Sequence, residues 1–499
     1  PRSPTQVSEY DGFGFAFASA DERPGVRRGY RYVMDAAEKY RIPIAFTDVR
    51  IDTLAGFEYL KLNERFRQMN QSGLLDLYGN TYYGQFMTWW PDLANQAAID
   101  LTKAAKRKMR IPESSVFYPY ESMVRIRDLT LIKQAGYKAL YAIGAYDNWF
   151  CCGPDYENPD TLAEYTKIGR KIHRINGLDI IFDPQGFGNN GFIKDERWFN
   201  DQNPARGFDV LTQGTDRGLH REYRRTLLDL ALDRDQEQFT QAGGDDVAFT
   251  DWVYRDAANW NFEWLASHPW VEVTSHADIL TRGWKVINHG TLDLAPDDTL
   301  RQHPLEGDGS YNAYFNDHYY GGISDGHSPR IPAGVEIESL YDYVPNLRDG
   351  QRIPSGRIVG DYKTPGTIVY ETLENLRTAP DNALRELAWL MFFEQSGEIT
   401  FHWDENLLPV TKVRANYLGH TNKITVAAQW ADAVARGEYS SQSIARAEEL
   451  DFDGEDEYIL HNNQVFAVFE NDGGRLEYAF AWSAEAGPIQ LIAPVQQRI

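Results

Sequence analysis

The apolar positions in the first third of the chain alternate between two periods. Phe13 to Ala18 is a short apolar run, and Arg28 to Tyr40 repeats at helical spacing with Tyr32, Val33, Ala36, Ala37 and Tyr40 on one side. Ile42 to Phe46 and Leu74 to Tyr78 have the length and composition of strands. A helix between Leu93 and Lys108, a strand from Val116 to Tyr120, a helix from Asp128 to Ala135 and a strand from Lys138 to Ile143 continue the pattern. Successive strand–helix units specify a parallel sheet covered by helices. Closed into an incomplete (β/α)7-type barrel, such a sheet presents the carboxyl ends of its strands as a site.

Past Asp183 the pattern loosens and then recovers. Arg221 to Leu232 reads as a helix, Asp246 to Phe249 as a strand, Trp260 to Ser267 as a helix and Val271 to Val273 as a short strand, so the barrel is expected to close near Leu280. Residues 288–378 are rich in Gly, Pro, Asp and Tyr with weak periodicity, which predicts loops draped over the barrel mouth. Asp381 is the expected cap of a helix over 382–395, with Leu384, Leu387, Ala388, Met391 and Phe392 on one face, and more helix follows between Val410 and Arg436. In the tail, Glu457 to Leu460, Val465 to Phe469 and Leu476 to Phe480 read as strands, separated by Asn462-Asn463 and Asp472-Gly473-Gly474 turns. The fold class is thus α/β: a barrel over 1–287, a loop-rich insertion over 288–378, a helical domain over 379–445 and a small β-sheet domain over 446–499.

Composition narrows the partners. With 499 residues, 42% hydrophobic, the chain can bury a sizeable core and is too long for one average domain. A net charge of −23, spread along the sequence, argues against nucleic acid or an anionic membrane surface and suits a neutral substrate, although a solvated surface accounts for most of it. The only cysteines are the adjacent Cys151-Cys152, so there is neither a disulfide framework nor a Cys-rich metal site. No apolar run reaches the roughly 18 residues of a membrane helix. The chain starts at Pro1 without a methionine, as it would if a leader had been removed, so the location stays open with secreted slightly favoured over cytoplasmic.

No histidine occurs in the first 172 residues. A metal-dependent deacetylase needs imidazoles beside a carboxylate to hold its ion, and this half offers none. It offers Glu121 at the end of Ser115-Val116-Phe117-Tyr118-Pro119-Tyr120, and further on the chain brings the pair Asp245-Asp246. Two carboxylates point to cleavage of a glycosidic bond, one attacking the anomeric carbon and one protonating the leaving oxygen, about 5–5.5 Å apart in a retaining enzyme. Tyr118 and Tyr120 would keep Glu121 ionised by donating hydrogen bonds, and the adjacency of Asp245 and Asp246 would raise the pKa of one of them. Trp89 and Trp90 offer a sugar-stacking platform, and Trp252 is a stronger candidate because it shares the acid segment. The residues alone also fit plainer roles: Glu121 as a helix cap or partner of Arg125 and Arg127, Asp245-Asp246 as a solvated turn after Gly243-Gly244, and the tryptophans as core. His268 and His276 read as structural. Asp308, Asn312, Asn316 and Asp317 miss the spacing of a calcium loop, so neither a metal site nor a cofactor is expected.

Several segments resemble glycoside hydrolase family 57. Gly73 to Tyr83 is similar to that family's glycine-bearing strand and Thr-Tyr-Tyr turn, and Val116 to Glu121, followed by a helix and Gln134-Ala135-Gly136-Tyr137, resembles its nucleophile segment. Gly244 to Trp252 resembles the segment holding the acid/base aspartate, Glu263 to Val273 the barrel-closing helix and strand, and the tail from Asp451 the terminal sheet of several members. The resemblance implies a Glu121 nucleophile and an acid/base at Asp245 or Asp246, in a retaining enzyme acting on an α-linked glucan or related oligosaccharide. The sequence departs from the family in two places. The first strand runs Phe15 to Glu22 without the usual histidine motif, with Asp21 near its end as a substrate-binding candidate, and no Glu follows the acid two residues on. A metal-dependent polysaccharide deacetylase on the same barrel and a non-catalytic carbohydrate-binding homologue are the alternatives. Hydrolysis or transglycosylation, the linkage and the oligomeric state stay open.

Overall fold

The computed structural model describes residues 29–47, 51–59, 61–85, 87, 90–120, 124–143, 170–183, 221–240, 257–291, 356–359, 362, 364–396 and 408–494. They fall in two compact units, one of residues 1–88 with 99–310 and one of 89–98 with 311–499. Among the described residues no helix is long and apolar enough to cross a membrane.

The first unit is mixed α/β. Helix α1 (Gly29–Tyr40) leads to β1 (Ile44–Phe46), α2 (Ile51–Tyr59), α3 (Asn63–Gln71) and β2 (Leu75–Leu77). Beyond α4 (Asp92–Lys108) come β3 (Val116–Phe117), α5 (Asp128–Gln134), β4 (Ala139–Ile143), β5 (Ile172–Ile175) and β6 (Leu178–Asp183). The unit continues with α6 (Arg221–Leu232), α7 (Ala257–Ser267), α8 (His276–Thr281) and β7 (Val286–Asn288). Strand β1 pairs in parallel with β2, Gly79 bridges onward to Phe117, and β3, β4 and β6 run parallel. The helical stripe on α1 buries Tyr30, Val33, Met34 and Ala37 against Phe57, Phe66 and Phe262, each such burial stabilising the fold by about 1.5–3 kcal/mol.

The sheet buries both of its faces, and the two-residue alternation of the strands sorts them. Phe117, Leu140, Ala142, Ile180 and Phe182 pack under Leu129 and Ile132 of α5. Val116, Tyr118, Ala139, Tyr141, Ile172 and Ile181 cluster with Tyr78, Phe239 and Ile279. Two expectations change here. Strands β5 and β6 form an antiparallel hairpin within the otherwise parallel order, turning at Asn176 (φ 50°) and Gly177 (φ 76°). Val271 to Val273 is not a strand; it is irregular backbone leading into α8. Strand β7 pairs with β5, and the segments expected to complete the barrel, Phe13 to Ala18 and Asp246 to Phe249, lie outside the described residues.

The second unit contains α9 (Ile368–Thr378), α10 (Ala383–Glu394) and α11 (Leu408–Ala435), and an antiparallel sheet ordered β12-β11-β10-β9-β8. Its strands are β8 (Ile444–Glu448), β9 (Glu457–His461), β10 (Val465–Phe469), β11 (Leu476–Ser483) and β12 (Gly487–Ile492). Helix α9 lies within the stretch expected to be loops, and it buries Ile368, Val369, Thr372, Leu373 and Leu376. The cap of α10 is Asn382 rather than Asp381: its Oδ1 accepts from Leu384 N at 3.0 Å and Arg385 N at 3.2 Å, and its Nδ2 donates to Ala428 O at 2.9 Å. Asp381 is 97% exposed and only approaches Arg385.

Lys423 joins α11 to the sheet. Its Nζ lies 2.8 Å from Asp451, 3.2 Å from Glu457, 3.0 Å from Glu470 and 2.7 Å from Glu477, and the ammonium is buried. Gly419, one helical turn earlier, leaves room for this approach, since a Cβ there would meet Asp451 Cβ at 2.5 Å. Burial outweighs Lys423 at Glu457 and pushes its carboxyl up to about 8, with Asp451 adding to the rise.

Two outcomes are expected. Lys423→Met, which strands four carboxylates without their cation, should cost about 3–5 kcal/mol, measured by calorimetry of the full chain. Glu457 binds its proton more tightly folded than unfolded, so its contribution is whole below about 4.5 and is lost as pH rises through about 8. Asp451 and Glu477 are shifted down and act below that window. Glu457→Gln should therefore flatten the fall in unfolding midpoint across that window, and a fall as steep as that of the unsubstituted chain would refute the assignment.

Candidate functional site

The carboxyl ends of β2 and β3 lie side by side. Gly79 N donates to Val116 O at 2.9 Å and Tyr118 N donates to Gly79 O at 2.8 Å, which carries the parallel pairing past the ends of both strands. The residues that follow β2 are buried: Tyr78, Asn80, Thr81 and Tyr82. Asn80 Oδ1 accepts from Thr81 N at 2.6 Å, a local side-chain bond that turns the chain.

Gly79 is required by packing. A Cβ there would stand 2.3 Å from the ring of Tyr137, so the backbone passes directly over that aromatic face. Beneath it, buried Lys106 donates to Leu77 O at 3.1 Å and Tyr78 O at 2.5 Å, satisfying carbonyls at the strand end. Burial pushes Lys106 down to about 8, against the pull of Glu113 and Asp76. Burial also raises the Asp76 carboxyl, opposed chiefly by Ser114, whose hydroxyl donates to it at 2.8 Å.

On the face of the sheet away from α5, an aromatic group surrounds one imidazole. The Tyr78 hydroxyl and His276 Nδ1 are hydrogen-bonded. Tyr141 lies 6.1 Å from Tyr78, 5.8 Å from Tyr118 and 5.3 Å from His276 between ring centroids, and Phe239 stands 6.1 Å from His276. Burial holds His276 at about 4, so the ring is neutral near pH 7. His276 opens α8, whose cap Ser275 accepts from Asp278 N at 3.1 Å.

Of the residues expected at the site, Tyr118 and Tyr120 are buried, at 3% and 6% exposure, on the stretch that ends in Glu121. Just beyond, Arg125 is held by Asp128 through its backbone N at 2.8 Å and its guanidinium at 2.9 Å, a buried clasp at the start of α5. Trp90 is fully buried in the second unit, edge-on to Phe392 at 5.1 Å, a core position and not an exposed platform. Asp21, Trp89, Glu121, Asp245, Asp246 and Trp252 lie outside the described residues. No motif or spacing in the sequence marks Tyr78, Tyr141 or Lys106, and His276 reads as structural from the sequence alone. The rule that selects Glu121, a polar group just past a strand's carboxyl end, also selects Tyr78.

Compared with known proteins, no family profile matches the chain, and no curated protein sequence matches it. Among solved structures it is similar to a 4-alpha-glucanotransferase from Thermococcus litoralis, at 13% identity over 94% of this chain and 63% of that one, with a TM-score of 0.41. A GH57 branching enzyme from Thermococcus kodakaraensis is matched at 10% identity over 86% of this chain and 78% of that one, with a TM-score of 0.41. An alpha-mannosidase from Enterococcus faecalis is matched at 9% identity over 93% of this chain and 51% of that one, with a TM-score of 0.43. The chain thus spans less than two thirds of the glucanotransferase. Family 57 enzymes, which the sequence motifs resemble, stand among these remote matches.

Gly79→Ala tests the strand-end packing. A methyl group driven against Tyr137 should destabilise the chain by about 1–3 kcal/mol, read as a lower unfolding midpoint in denaturant. A neutral substitution would show that β2 and Tyr137 are not in contact.

Proposed function

We propose that the chain is a retaining glycosidase or transglycosylase acting on an α-linked glucan or related oligosaccharide, with Glu121 as nucleophile and Asp245 or Asp246 as acid/base. The observation that carries this reading is the position of Tyr118 and Tyr120. They lead directly from the carboxyl end of parallel strand β3 into Glu121, beside the end of β2, and strand ends of this kind are where α/β barrels build their sites. The tyrosine hydroxyls, as donors to the carboxylate, would favour its ionised form against the desolvation that burial imposes. The first 172 residues, by contrast, have no imidazole for a deacetylase ion.

In the proposed mechanism Glu121 attacks the anomeric carbon as the aspartic acid protonates the leaving oxygen. The covalent glycosyl intermediate then passes to water or to a second sugar. Adjacent residues on a strand point to opposite faces, so one of Asp245 and Asp246 serves as acid. Asp245 is the preferred assignment, because that register aligns Phe249 and Trp252 with the family's aromatic positions.

The test is incubation with defined α-linked oligosaccharides, reading products by mass and anomeric form. Glu121→Gln should lower turnover by several orders of magnitude while leaving folding and sugar binding intact. Asp245→Asn should impair substrates with poor leaving groups far more than those with good ones, with partial rescue by azide. Undiminished turnover in Glu121→Gln would remove Glu121 as nucleophile, and a leaving-group effect confined to Asp246→Asn would move the acid by one residue.

A further inference from the structure

The Tyr78–His276 pair has no part in the two-carboxylate chemistry, yet it lies beside the strand end that leads to Glu121. Its members are 198 residues apart in sequence, so only the fold brings them together. Tyr78 is held in three ways. Its N donates to Phe46 O at 3.1 Å, its carbonyl accepts from Lys106 at 2.5 Å, and its hydroxyl meets His276 Nδ1. Its ring is edge-on to Tyr141, which in turn packs at 5.8 Å on Tyr118, three residues before Glu121. An apolar pair of the same shape would fill this space without desolvating a hydroxyl and an imidazole. What the polar pair adds is direction, because a hydrogen bond fixes where the Tyr78 hydroxyl sits relative to the imidazole edge.

We propose that Tyr78 and His276 are positioning residues for the segment that follows β3: their hydrogen bond anchors the Tyr78 ring, which through Tyr141 holds Tyr118 and the backbone as far as Tyr120. This rests on the reading of Glu121 as nucleophile. The neutral state of His276, kept by burial, keeps the bond a one-proton contact through the neutral pH range.

The experiment compares the full chain with Tyr78→Phe, His276→Ala and His276→Asn, the last placing an amide where Nδ1 stood. Amide hydrogen exchange over 116–124 is expected to quicken by about tenfold in Tyr78→Phe and His276→Ala. It should return toward the original rate in His276→Asn, with exchange in β5 and β6 unchanged. On maltohexaose, kcat should fall by roughly ten- to a hundredfold with KM unchanged. Unaltered exchange over 116–124, or exchange quickened throughout the unit, would overturn the proposal by showing the pair to be inert or merely structural. If the unsubstituted chain turns over no α-glucan, the glycosidase reading fails, while the exchange result still decides whether the pair orders the strand end.

Discussion

A single buried ammonium organises the second unit. Four carboxylates from the 451 loop, β9, the end of β10 and β11 converge on Lys423 of α11. Such a group is costly to desolvate, and one positive charge cannot neutralise it. Two further elements restore balance: Arg475, 2.8 Å from Glu477, and the raised affinity of Glu457 for a proton. Apolar packing of Trp430 on Phe466 supplies attraction with little directional preference. The ionic cluster has a strict geometry, and it therefore sets the register in which the sheet meets the helix. Gly419 belongs to the same constraint, because any side chain there would hold the loop away.

The first unit poses a different packing problem, because its mixed sheet is covered on both faces. The face under α5 is mainly aliphatic and phenyl, with Tyr137 among them, whereas the opposite face gathers Tyr78, Tyr118, Tyr141 and His276. Hydroxyls and an imidazole are expensive to bury unless bonded, and the Tyr78–His276 bond meets part of that demand. In the proposed mechanism such an aromatic wall would hold the segment leading to the nucleophile, where a misplacement of about 1 Å costs about a hundredfold in rate.

Local signals were the legible part of this chain. The stripe on α1, the helix Arg221–Leu232 and the strand Val465–Phe469 follow from periodicity, because each depends on neighbours within a few residues. The hairpin of β5 and β6 was equally legible but passed unread: Asn176-Gly177 is a two-residue turn of the type that needs positive φ at both positions. Helix α9 was hidden by the Gly- and Pro-rich sequence that precedes it, and Asn382 took the cap from Asp381 because it also reaches the Ala428 carbonyl. The partners of Lys423 lie 28 to 54 residues away, and His276 lies 198 from Tyr78, separations that no periodicity reports. For the site itself, only the tyrosines leading to Glu121 are among the described residues, and the carboxylates rest on sequence motifs.

The contact between Gly79 and Tyr137 has a consequence for redesign. Sheet neighbours are normally spaced by their own hydrogen bonds, but here an aromatic disc lying against bare backbone also sets how closely the ends of β2 and β3 approach. The two positions therefore behave as one variable. A larger residue at 79 becomes admissible only if 137 shrinks, and a smaller residue at 137 opens a void that a side chain at 79 could fill. Natural variants of this scaffold should exchange bulk between those two positions while keeping their sum nearly constant.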